Sequence, residues 1–102
     1  MGRKHYVDFA AINSVAIRAL PGLVPQLLPD GRFENVEWVA RNPRRKDRHL
    51  GSFKINTRTG KWADFATGDR GGDVISLVSF IRGIPPHEAA LTLMEILGVQ
   101  NA

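Results

Sequence analysis

The sequence predicts an α+β fold, with a small antiparallel sheet of about three strands in mid-chain packed with flanking helices, in one domain spanning residues 1–102. Three observations point there. Apolar residues recur at helical spacing before residue 31 and again after residue 73. The stretch between them alternates apolar and polar residues and carries a hairpin turn. At 102 residues and 43% hydrophobic, the chain can build one small core and is too short for two. Residues 1–31 are expected to be helical, 32–66 to form the sheet, and 67–98 to form a glycine turn and two helices.

In VDFAAINSVAIRAL, Asp8 can cap a helix whose inner face is set by Phe9, Ile12, Ala16 and Ala19, with Val15 nearby. Pro21 and Gly22 are expected to interrupt it, leaving LVPQLLPDG as a short helical turn ending at Pro29-Asp30-Gly31. VEWVAR then alternates, with Val36, Trp38 and Ala40 on one side, so a strand with Trp38 inward is expected. NPRRKDRHLG breaks the pattern with proline, glycine and the densest run of basic residues, and reads as a loop.

SFKIN and KWADF follow as two strands joined by TRTG, where Gly60 can supply a positive φ. A four-residue loop sets Ile55 opposite Trp62 and Phe53 opposite Asp64; a three-residue loop shifts this pairing, and the sequence leaves both open. ATGDRGGD is a polar, glycine-rich turn that delivers Asp73 as the N-cap of a helix carrying Val74, Leu77, Val78 and Ile81 inward until Gly83. The last helix has Pro86 in its first turn with Glu88 close behind. Its inner residues are expected to be Ala89, Leu93, Ile96 and Leu97, and Gly98 to stop it.

Composition narrows the chemistry. With no cysteine there is neither a disulfide framework nor a thiolate metal site. The apolar stretches are far shorter than the roughly 20 residues that span a bilayer, and Met1 to Tyr6 is polar with no long apolar run behind it, so a soluble, cytoplasmic protein with no membrane partner is expected.

The formal charge of +4 is unevenly spread. Between Arg41 and Lys61 the positive residues are Arg41, Arg44, Arg45, Lys46, Arg48, Lys54, Arg58 and Lys61 against Asp47 alone, a net +7 that leaves −3 for the rest. Clustering of this degree, rich in arginine, favours a polyanionic partner over a merely solvated loop.

Other residues invite chemical readings. Trp62 can stack on an unpaired base, although its place in an alternating strand favours a core role. Glycines before a helix can cradle phosphate, but Asp69 and Asp73 would repel an anion, so GDRGGD reads as a structural turn with Arg70 left as a rim contact. Ser52, His49 and Asp47 are close in sequence but lack separate elements to orient a nucleophile and base. A zinc site from His5, His49, His87 and Asp64 has no ligand spacing behind it. No catalytic residue, metal or cofactor is expected.

The order of GSF, a hairpin, a strand ending in an aromatic, and GDRGGDVISLVSF resembles the zinc-ribbon domain at the N-terminus of bacterial and phage DNA primases. That family sets a Cys-x2-His pair before the first of these strands and a Cys-x2-Cys knuckle before the glycine turn. Here the pair falls near Ala40 and Pro43, and the knuckle becomes Asp64-Phe65-Ala66-Thr67. DFAAIN, LLPDGR, EWVARNPRRKDR and DFATGDRGGDVISL together look like the cysteine-free N-terminal segments of primase-helicase proteins carried by phages and integrated mobile elements, over residues 8 to 98.

The resemblance implies a zinc-ribbon-like sheet without metal and a role in DNA replication. It implies DNA binding to a single-stranded template, with no enzyme activity from this chain alone. The alternative is a regulatory module docking on a primase or helicase. Structural zinc in a small ribbon supplies folding free energy on the order of 10 kcal/mol. Burial of Trp38, Phe53, Ile55, Trp62 and Phe65, at roughly 1.5–3 kcal/mol each, is expected to replace it. Aromatic exposure separates the two functions, since single-strand binding normally uses a stacking ring among the cations and docking uses an apolar patch.

Overall fold

The computed structural model describes residues 7–44 and 51–99. Helix α1 (Phe9–Leu27) opens on Asp8, whose carboxylate accepts the Ala11 N–H at 3.0 Å, as a short acidic N-cap should. It does not break at Pro21. It runs on through Pro21 and Pro25, because Leu20, Leu23, Val24 and the capping Leu28 all fall on the buried side. Their burial, about 1.5–3 kcal/mol each, is enough to offset the roughly 3 kcal/mol that an interior proline costs. Pro21 is exposed and Pro25 half-buried, so the prolines sit away from the deepest packing. The buried stripe is thus Ile12, Ala16, Leu20, Leu23 and Val24, while Phe9 and Val15 are exposed.

Among the described residues the sheet has five strands rather than three, in the order β1 (Arg32–Glu34), β2 (Glu37–Ala40), β3 (Phe53–Asn56), β4 (Trp62–Asp64) and β5 (Arg70–Gly71), all neighbours antiparallel. The two extra strands are short edges. β1 folds back on β2 through Asn35-Val36, with Asn35 at φ 56°, a conformation that asparagine tolerates better than most residues. β5 lies inside the glycine turn, where the Asp64 N–H donates to the Asp69 carbonyl at 2.8 Å.

The β3–β4 loop has four residues, which places Ile55 opposite Trp62 and Phe53 opposite Asp64. Gly60, at φ 80°, closes it by donating to the Asn56 carbonyl at 2.8 Å.

Helix α2 (Val74–Arg82) starts on a capping box: Asp73 accepts the Ser76 N–H at 2.8 Å while the Ser76 hydroxyl reaches back to the Asp73 N–H. Asn13 of α1 accepts the Ile75 N–H at 3.0 Å and fixes α1 to this helix start. Helix α3 (Pro86–Leu97) has proline in its first turn, and both α2 and α3 end at left-handed glycines, Gly83 and Gly98. Ala89, Ala90 and Leu93 are the buried residues of α3; Ile96, expected inside, is exposed.

One hydrophobic core takes in all three helices and the inner face of the sheet. Trp38 donates its indole N–H to the Leu28 carbonyl at 3.0 Å, and Trp62 donates to the Ser76 hydroxyl at 3.0 Å. Each indole lies against a glycine, Gly31 over Trp38 and Gly71 over Trp62, at approaches that leave no room for a Cβ. Among the described residues, no helix is long and apolar enough to cross a membrane.

Candidate functional site

Directly opposed residues of an antiparallel pair point to the same face, so the register sorts every strand residue. One inner row is Phe33, Trp38, Ile55, Trp62 and Gly71, and Ala40, Phe53 and Asp64 stand beside it. Phe80 of α2 covers this side, with ring centroids 4.9 Å from Trp62 and 5.9 Å from Phe53. Trp62 is only 5% exposed and bonded to Ser76, so it is a core residue and not a stacking ring.

The outer face has a different composition. Its central row is Arg32, Val39, Lys54, Ala63 and Arg70, with one cation on each of β1, β3 and β5. Of the outer-face strand residues only Val39 is buried. Phe65 follows β4 by one step of the pleat, on the same side as Ala63, and is 72% exposed. The Lys54 ammonium lies 5.9 Å from the centroid of the Phe65 ring, within cation–π reach. Lys54, Lys61, Phe65 and Arg70, with Glu37 and Asn56 at one side, line an open groove of about 440 Å³.

The basic residues singled out from the sequence do not converge on this groove as a set. Lys54 and Lys61 line it. Arg58 is exposed on the β3–β4 turn, its N–H donating to the Asn56 side chain at 2.9 Å. Arg41 sits 3.9 Å from Asp30. Arg44 turns to the end of α2, donating to the Phe80 carbonyl at 3.4 Å with its guanidinium over the Phe80 ring, where a cation suits the negative pole of the helix. Arg45, Lys46 and Arg48 lie outside the described residues, as do Asp47 and His49 of the weighed catalytic set and His5 of the weighed zinc set.

Arg32, Arg70 and Phe65 are the contributors that the sequence reading missed or left at the margin. The signal for Phe65 was present: if Trp62 faces the core, alternation sends Asp64 inward and Phe65 outward. Phe65 is therefore not part of the core it was expected to help fill.

Beside the groove, Asn42 and Asp64 are both buried, and the Asn42 amide donates to the Asp64 carboxylate at 2.6 Å. The other carboxylate oxygen accepts the Ala66 N–H at 2.8 Å, and the Asn42 carbonyl oxygen accepts the Arg44 N–H at 2.8 Å. Two segments far apart in sequence, around residues 42–44 and 64–66, are thereby joined. Among the described residues, no three His, Cys, Asp or Glu side chains gather in a way that could hold a metal ion.

With this geometry in place, no protein-family model matches the chain, and no curated protein is similar enough to name a relative for it.

Proposed function

We propose that this chain is a nucleic-acid-binding module that holds single-stranded DNA on the outer face of its sheet. The observation that carries the reading is an exposed aromatic ring set among cations on an open antiparallel face: Phe65 with Lys54, Lys61 and Arg70. Cations follow a phosphate backbone whatever its sequence, and a ring face accepts any base. The structural-family reading, a zinc-ribbon-like domain without metal, draws support from the Asn42–Asp64 bond. It links the two segments that the primase resemblance sets as zinc-holding. On this reading the module serves a primase or primase-helicase of a phage or mobile element, in the cytoplasm, and has no enzyme activity of its own.

Titration of labelled single- and double-stranded DNA at several salt concentrations tests the proposal. If about four phosphates are neutralised, the logarithm of the binding constant falls against log salt with a slope near −3, since each single-strand contact contributes about −0.7. The double change Lys54→Ala, Arg70→Ala is expected to make that slope shallower and to weaken all sequences about equally. No detectable binding by the parent protein at low salt would overturn it.

A second reading, docking on a primase or helicase, has one observation of its own. A groove of about 730 Å³ between the end of α2 and the outer side of α3 is lined by Ile84, Leu91, Met94 and Val99 among others. Binding to such a partner without any DNA affinity would favour it.

A further inference from the structure

We infer that Phe65 is the stacking platform for one unpaired base, and that this residue makes the module select single strands over duplex; the inference rests on the proposed DNA-binding role. Burying a phenylalanine is worth roughly 1.5–3 kcal/mol, yet Phe65 stands 72% exposed beside the buried Asp64. Its position is fixed. The Phe65 N–H donates to the Ser52 carbonyl at 2.8 Å, the Ala66 N–H to the Asp64 carboxylate at 2.8 Å, and the Gly68 N–H to the Asp64 carbonyl at 2.8 Å. The ring is therefore presented on a hydrogen-bonded turn, and little ordering remains to be done when a ligand arrives.

Its surroundings identify the ligand. A ring used for protein docking belongs to a wider apolar patch. Among the described residues, the other large exposed apolar side chains lie elsewhere: Phe9 and Val15 on α1, Leu91 and Ile96 on α3, and Phe33 on the inner face of the sheet. Among the described residues, the charged side chains that line the groove with Phe65 are three cations, Lys54 at 5.9 Å from the ring with Lys61 and Arg70, against the single carboxylate of Glu37. A flat apolar surface joined to negative charge at short range is the chemistry of a nucleotide in a single strand. In a duplex the faces of the bases are occupied by each other, and only phosphates remain for the cations to meet.

The experiment compares the parent protein with Phe65→Ala, Phe65→Leu and Phe65→Trp on a single-stranded oligonucleotide and on a duplex of the same length. A fluorescent adenine analogue in the single strand reports stacking by quenching. Phe65→Ala and Phe65→Leu are expected to weaken single-strand binding about tenfold, to abolish the quenching, and to leave duplex binding and the unfolding midpoint unchanged. Phe65→Trp is expected to keep both affinity and quenching. Equal single-strand affinity in parent and Phe65→Ala, or an equal loss on single strand and duplex, would overturn the stacking role while leaving charge-driven binding in place. Failure of the parent to bind any DNA would overturn the proposed function itself.

Discussion

Trp62 and Phe65 have two residues between them, and the pleat sends them to opposite faces of the sheet. Residue type alone hid this, because both are large and aromatic. The same β4 stretch places Asp64 in the interior, where Asn42 donates to it. A buried carboxylate that loses a donor keeps its desolvation cost, so Asn42→Ala is expected to destabilise the fold by about 1–3 kcal/mol. Chemical denaturation should show a lower midpoint at an unchanged slope, and an unchanged midpoint would contradict the role given to this bond. Asp64 was legible in the sequence, opposite Phe53 in one of the two hairpin registers. Asn42 was not, because nothing in Arg41-Asn42-Pro43 marks an asparagine as internal until the sheet brings residue 64 beside it.

Elements with strong local signals were readable: the Asp8 and Asp73 caps, the glycine stops after α2 and α3, and the alternating burial of β3 and β4. Elements that exist only through tertiary partners were not. β1 is three exposed residues and β5 is only exposed Arg70 and half-buried Gly71, and each is a strand because its neighbour offers a ladder. α1 crosses two prolines because its buried stripe continues beyond them. The glycine turn tests this dependence on partners. A Cβ at Gly71 would come within 2.5 Å of both the Ser76 hydroxyl and the Trp62 indole nitrogen, whereas one at Gly72 meets nothing within 4 Å. Gly71→Ala is thus expected to cost about 1–3 kcal/mol through overpacking. Gly72→Ala should stay within about 0.5 kcal/mol of the parent. Equal thermal midpoints for the two variants would contradict the close packing of β5 on Trp62.

At the scale of the molecule, linear and spatial charge clusters turn out to be different things. The sequence gathers +7 between Arg41 and Lys61, but folding directs Arg41 to Asp30 and Arg44 to the end of α2. It also brings Arg32 and Arg70, from outside that segment, into line with Lys54. Cross-strand register makes that line; the sequence left the β3–β4 register open and gave no sign of β1 or β5, the strands that carry Arg32 and Arg70. Cohesion of the whole is expected to be independent of metal, since the Asn42–Asp64 bond and the aromatic cluster of Phe53, Trp62 and Phe80 occupy the region between sheet and helices. Thermal unfolding with and without excess chelator should superimpose, and a large drop under chelator would contradict this. The strand order 1-2-3-4-5 also bears on how the fold assembles in time. Every ladder joins strands that are consecutive along the chain, so each pairing closes only the loop between them and needs no earlier long-range step. Hairpins can then form one at a time while α1 is still undocked. We expect the arrival of α1 on α2, where Asn13 reaches the Ile75 N–H, to come late, so that in stopped-flow kinetics substitutions in α1 act on the unfolding rate more than on the folding rate.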